Sequence, residues 1–228
     1  MRAGLTLIAA SLLVAGCGTS EGDERDLTVF AASSLTDVLP ELNDAYEAQT
    51  GSAVTLVFGG SNHLAAQLRD GAPADAFLTA DLDLFPDGTT GLRFASNRLV
   101  LAVPAGNPAG ISGPDALADE RLRVAVCAVE VPCGRATRAL GIPLAPDTEE
   151  TSVRAVLSRV SLGEADVGVV YATDAASEPG VEVVWPDAPS CPCVEYHAVP
   201  LTPAGDRFVA FLASETAVGI LRNNGFGE

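Results

Sequence analysis

The chain has 228 residues, 48% of them hydrophobic and 19% charged. That is enough for one or two domains with real cores and too apolar for a disordered chain. Thirty acidic against thirteen basic residues give a net charge of −17, which argues against nucleic acid and against charge-driven binding to anionic membrane, while a small anion stays open because a local array of donors can oppose the global field.

The N-terminus does not read as part of the fold. Arg2 precedes an apolar stretch over residues 5–15, too short to span a bilayer. It runs into Val14-Ala15-Gly16-Cys17, which resembles the lipobox of bacterial lipoprotein signals. The resemblance implies cleavage before Cys17, a lipid on Cys17, and an extracytoplasmic protein anchored to the cell membrane. The competing reading is an ordinary secretory signal that contains a cysteine. Residues 18–26, GTSEGDERD, form a polar tether. No other segment approaches ~20 uninterrupted apolar residues, so nothing else is expected to cross a membrane.

From Leu27 onward apolar runs alternate with amphipathic stretches, the pattern of an α/β fold. Residues 27–31 read as a strand, and Leu35, Val38, Leu39, Leu42 and Tyr46 recur at helical spacing up to Gly51. A strand over 54–58 leads through Gly59-Gly60-Ser61 into a helix carrying Leu64 and Leu68, closed by Gly71. Residues 75–79 read as a third strand, and the run 99–103 stops at Pro104 as a crossing into a second domain. The second half repeats the plan. A strand over 122–128, the turn Pro132-Cys133-Gly134 and a helix to Gly141 precede a helix from Thr151-Ser152 to Gly163. Strands follow over 167–171 and 181–185, and residues 196–201 lead back to the first domain. Phe208, Phe211, Leu212, Ile220 and Leu221 then fall on helical faces, with Ser214 placed to cap a second short helix.

Export permits disulfides. With Cys17 set aside, Cys127, Cys133, Cys191 and Cys193 allow three pairings. Cys127–Cys133 closes a short loop and is the favoured bridge, but it leaves Cys191-Pro192-Cys193 to pair with itself, which is sterically awkward. A cross-linked pairing between the two regions stays open.

Four predicted helix starts carry the functional signal: Ser34, Ser61, Cys133-Gly134 and Ser152-Val153. Strand-to-helix turns of a parallel sheet gather at the carboxyl ends of the strands, where ligands bind. Each start offers free backbone N–H groups and the positive end of a helix dipole. Together with serine hydroxyls they make an anion site without a cationic side chain, suited to a fully ionised oxyanion. Any one of these serines taken alone is ordinary as a helix cap. Of the pair Ser33-Ser34, Ser34 is expected to face the cleft, because successive residues leaving a strand point in opposite directions.

The segments VFAASSLTDVLPEL, VFGGSNHLAAQLRDGAPADAFLTAD, VPCGRATRAL, SVRAVLSRVSLGEADVGVVYATDA and the terminal NNGF resemble the substrate-binding proteins of molybdate ABC transporters. The resemblance covers nearly all of residues 27–228. It implies a type II periplasmic-binding-protein fold, two α/β lobes on a hinge that close on the anion. The expected division is lobe I over 27–102 plus 197–228 and lobe II over 103–196. Carried over residue by residue, the ligands of molybdate are the hydroxyls of Ser34 and Ser61, the backbone N–H groups of Cys133 and Val153, and the hydroxyl of Tyr171. Tyr171 rests on the resemblance alone. The implied protein is a monomer without a cofactor, since molybdate or tungstate is the transported ligand, and its partner is the permease of an ABC importer. Cys133 stands where relatives often have alanine, and Ser61-Asn62-His63 replaces a serine-threonine run; preference among molybdate, tungstate and sulfate is left open.

Two rival readings use other residues. A hydrolase would take Ser33 or Ser34 as nucleophile with His63 or His197 as base, but A-A-S-S-L lacks the G-x-S-x-G elbow. An exported metal-binding protein would use Cys191, Cys193 and His197 as a C-x-C-x₃-H cluster, against which oxidation to disulfides competes. Asp75 and Asp81 read as loop hydrogen-bond acceptors, because a carboxylate beside the anion would repel it.

Overall fold

The structure, a computed structural model, describes residues 26–85, 89–185 and 194–227. The signal, the tether, Cys17, Cys191 and Cys193 lie outside the described residues. The first half runs β1 (Leu27–Ala32), α1 (Leu39–Thr50), β2 (Val54–Gly59), α2 (Ser61–Arg69), β3 (Ala76–Thr79) and β4 (Leu92–Asn97). β5 (Leu99–Pro104), β6 (Val124–Cys127), α3 (Pro132–Ala139), β7 (Thr148–Glu150), α4 (Val153–Ser161), β8 (Val167–Tyr171), α5 (Ala172–Ala176) and β9 (Val181–Trp185) make the second half. The chain returns with β10 (Val194–Pro200), α6 (Pro203–Leu212) and α7 (Glu215–Asn223).

Two five-stranded sheets result, ordered β2-β1-β3-β10-β4 and β7-β6-β8-β5-β9. In each, three parallel strands are followed by one antiparallel strand, β10 or β5, that has arrived from the other half. The inner strands are covered on both faces, which is why they read as unbroken apolar runs. Val29 and Ala31 of β1 enter one core with Ala76 and Leu78 of β3, while Phe30 and Phe77 enter a second on the opposite face, as the two-residue period of a strand requires. In the larger core Tyr46 of α1 meets Phe208 and Phe211 of α6 edge-on, with ring centroids 5.1 and 5.3 Å apart. The second sheet has its own core, in which Val156, Leu157 and Val160 of α4 pack over Val124, Val167 and Val169.

The helix expected from Leu35 begins only at Leu39, after a 3-10 turn at Ser33–Leu35. Pro40 is the reason. It has no N–H to give to Thr36, so it is tolerated in a first turn and not inside a helix that started earlier. The run at 99–104 is not a connector but β5, paired to β8 and β9 in the second sheet; its apolar character follows from an inner position. The chain therefore changes sheet at Arg98, ahead of the expected boundary at 102. β10 already belongs to the first sheet at Val194, ahead of the expected return at 197. β4, β7 and α5 were not foreseen from the pattern. β7 is Thr148-Glu149-Glu150 at a sheet edge, where nothing demands apolar side chains. No helix among the described residues is long and apolar enough to cross a membrane.

Candidate functional site

The carboxyl ends of the parallel strands meet between the two sheets. Ser34 follows β1, Ser61 opens α2 after β2, Cys133 opens α3 after β6, Val153 opens α4 after β7, and Tyr171 ends β8. All five line one small cavity, with Ser33, Gly60 and Ala80 among their neighbours, and no residue of its lining is charged. The cavity is nearly shut: Ser34 is 5% exposed, and Ser61, Cys133, Val153 and Tyr171 are each 2% exposed. Anything entering must part the two halves first.

The helix starts supply backbone donors for local reasons. In α3, Pro132 has no N–H, and the N–H groups of Gly134 and Arg135 go to the Val131 carbonyl at 2.9 and 3.1 Å. That leaves Cys133 with the first N–H lacking an acceptor within the helix. Gly134 is required by close approach, since a Cβ there would lie 1.9 Å from the Ala128 carbonyl oxygen. A Cys127–Cys133 disulfide pins the same turn to the end of β6. In α4, Ser152 caps the helix by accepting from the Ala155 N–H at 3.2 Å, so the N–H groups of Val153 and Arg154 stay without an intrahelical acceptor.

The first half offers side-chain hydroxyls instead. Ser61 Oγ accepts a long bond of 3.4 Å from the Ala80 N–H and keeps its own proton for the cavity. Ser34 Oγ accepts from the Tyr196 hydroxyl at 2.7 Å. Ser33 and Ser34 sit in a 3-10 turn rather than at a strand end, so the alternation expected for the pair does not apply. Both line the cavity, Ser34 as the buried one and Ser33 half-buried. Ser33 makes no side-chain cap; its carbonyl accepts from the N–H and hydroxyl of Thr36.

Charged groups flank the cavity in pairs that join the halves. Arg154 of α4 donates to both carboxylate oxygens of Asp37 at 2.7 and 2.6 Å, and to Asp174 at 3.3 Å. Arg135 of α3 pairs with Asp81, and burial pulls its guanidinium below the ordinary range. Asp174 is fully buried. Loss of water pushes its carboxyl up to about 7, Arg154 opposes that rise, and Asp37 adds to it. The halves also touch through backbone. A Cβ on Gly60 would lie 2.5 Å from the Thr151 carbonyl oxygen, so glycine is needed there for closure, not for its dihedrals.

The other singled-out residues fall elsewhere. Asp75 accepts from the Thr28 N–H at 2.9 Å and the Thr202 hydroxyl at 2.7 Å, tying β1 to the start of α6. Asp81 accepts from the Asp83 N–H. His63 is exposed, and the bonded partner of Ser34 is Tyr196, not a histidine. His197 lies in β10 beside Glu195, and among the described residues no group of His, Cys, Asp and Glu is arranged for a metal ion. Tyr196, which bonds Ser34, and Asn97, which bonds Thr173, are neighbours that the sequence did not reveal. Their positions depend on β10 lying between β3 and β4, and no local pattern announces that.

Residues 27–227 match the family model described as bacterial extracellular solute-binding protein. The molybdate-binding protein ModA of Mycobacterium tuberculosis is 38% identical over 196 residues, covering 75% of each chain. The molybdate-binding protein ModA of Escherichia coli is 32% identical over 212 residues, covering 80% of each. Among solved structures, the periplasmic molybdate-binding protein of Azotobacter vinelandii superposes with a TM-score of 0.73 at 24% identity, covering 89% of this chain and 99% of that one. This last likeness speaks for the two-lobed fold.

Proposed function

The chain belongs to the bacterial extracellular solute-binding proteins, and from that premise we propose that it captures molybdate between its two lobes and delivers it to an ABC importer. It is a binding protein rather than an enzyme. The observation that carries the reading is the convergence of Ser34, Ser61, Cys133, Val153 and Tyr171 on one uncharged, buried cavity between the sheets. Neutral donors in a dry site stabilise a dianion that needs no proton in return. Ser34 and Ser61 act from lobe I, and the N–H groups of Cys133 and Val153 with the Tyr171 hydroxyl act from lobe II. The lobes are assigned as the first sheet with α1, α2, α6 and α7, and the second sheet with α3, α4 and α5.

Binding follows from the geometry. The open protein exposes half of the donor set on each lobe. An anion bound to one half recruits the other, because only the closed state offers all the donors, and that difference in affinity drives closure. Arg154–Asp37 and Arg135–Asp81 form only when the lobes meet. They compensate one another's charge, so the anion is held by dipoles and not by free cations. The protein is extracytoplasmic. Its lipid anchor on Cys17 and its monomeric state are part of this proposal, supported by Val14-Ala15-Gly16-Cys17 and the polar tether.

Calorimetric titration of the purified chain from Gly18 onward with molybdate, tungstate, sulfate and phosphate tests the reading. Tight one-to-one binding of molybdate is expected. Absent or equal heats for all four anions would overturn it. For the anchor, Cys17→Ser is expected to release the protein from the membrane fraction with anion affinity unchanged.

A further inference from the structure

Tyr196 occupies an unusual place for a phenol. It is wholly buried in β10, with its ring packed against Phe94, Tyr171 and Phe226 at centroid distances of 6.2, 6.4 and 5.7 Å. Its hydroxyl reaches Ser34 Oγ at 2.7 Å. On the other side stands Asn97, the last residue of β4. The Asn97 carbonyl oxygen accepts from the Arg98 backbone N–H at 2.9 Å, which fixes the orientation of the amide. The amide nitrogen is therefore the donor end, and it gives a hydrogen bond of 2.7 Å to Thr173 Oγ1.

A buried phenol proton must find an acceptor. The Tyr196 hydroxyl gives its proton to Ser34 Oγ at 2.7 Å, and the Phe94 and Phe226 rings packed beside it offer no lone pair. Ser34 then has its acceptor role filled from behind and its own proton left for the cavity. A hydroxyl that accepts one hydrogen bond also donates a better one. Resting on the reading of Ser34 as an anion ligand, we infer that Tyr196 is a positioning residue that makes Ser34 a donor toward the anion and thereby favours fully deprotonated oxyanions over those that carry a proton.

A double-mutant cycle tests this with molybdate as the probe. Tyr196→Phe keeps the ring and removes the proton that engages Ser34. It is expected to weaken molybdate binding roughly 3- to 10-fold in the unaltered chain and less than about 1.5-fold when Ser34→Ala is already present. Hydrogenphosphate supplies an independent readout: Tyr196→Phe should narrow the ratio of molybdate to hydrogenphosphate affinity, because Ser34 is freed to accept. A merely structural role would lower the melting temperature without moving that ratio. Equal losses in both backgrounds, or no loss with Tyr196→Phe while Ser34→Ala is costly, would overturn the relay and leave the site standing. A silent Ser34→Ala would overturn the site assignment and the relay with it.

Discussion

The two lobes share one plan and present their donors differently. Each has three parallel strands, a visiting antiparallel strand in fourth place and an edge strand. Lobe I meets the cavity with hydroxyl groups, one of them held by a phenol on its visiting strand. Lobe II meets it chiefly with backbone N–H groups at two helix starts, one braced by a disulfide and the other by the Ser152 cap. Under the proposed reading, side-chain identity matters for the anion in lobe I, while in lobe II backbone path does. Substitutions should therefore act asymmetrically.

The largest effect is expected in lobe I. A hydrogen bond to a charged group contributes ~1.5–3 kcal/mol, so Ser34→Ala and Ser61→Ala should each weaken molybdate binding roughly 10- to 150-fold. Titration of each variant measures this, and near-equal affinity to the unaltered protein would remove that serine from the site. Gly60→Ala comes next. Its new Cβ meets the Thr151 carbonyl oxygen at 2.5 Å, a backbone atom that cannot swing aside, so the lobes must stay slightly apart. Affinity should fall about 10-fold, and small-angle scattering with molybdate present should report a less compact particle. Unchanged closure would show that the halves meet elsewhere.

Asp174 sharpens the comparison through pH. The folded protein holds its carboxyl proton up to about pH 7, whereas an ordinary aspartate carboxyl releases it near 3.8. Between those values the folded state binds more protons than the unfolded chain, so this residue makes stability fall as pH rises from about 4 to 7. Asp174→Asn should flatten that slope and raise the melting temperature near pH 7 by roughly 5 °C. A slope that survives the substitution would place its origin elsewhere.

Smaller still is the effect of reducing Cys127–Cys133. The turn loses its brace but keeps Pro132 and Gly134, so affinity should drop only about 2- to 5-fold. Smallest of all is Val153→Ala, which retains the backbone donor and should shift affinity less than about 2-fold. A large loss there would mean that the side chain, not the N–H, matters in lobe II.

Much of this was legible in the sequence for identifiable reasons. β1, β3, β6 and β8 are buried on both faces and read as apolar runs. Ser34, Ser61, Cys133 and Val153 follow from strand-to-helix turns, although the 3-10 turn and the role of Pro40 displaced the first helix. Two of the four edge strands left no such trace: β4 carries Arg93 and β7 is Thr-Glu-Glu. Tyr171 came only through resemblance to a family. Tyr196 was hidden because its contact with Ser34 spans 162 positions, and the sheet order that creates it is a property of the whole fold.

The most direct test of the site is where molybdenum sits. Crystals of the protein grown with molybdate, with diffraction recorded above and below the molybdenum absorption edge, should show one anomalous peak. The account predicts that peak in the cavity, with oxyanion oxygens at hydrogen-bonding distance from Ser34, Ser61, Tyr171 and the N–H groups of Cys133 and Val153. A peak outside the cavity, or contacts made chiefly by Arg135 or Arg154, would contradict it.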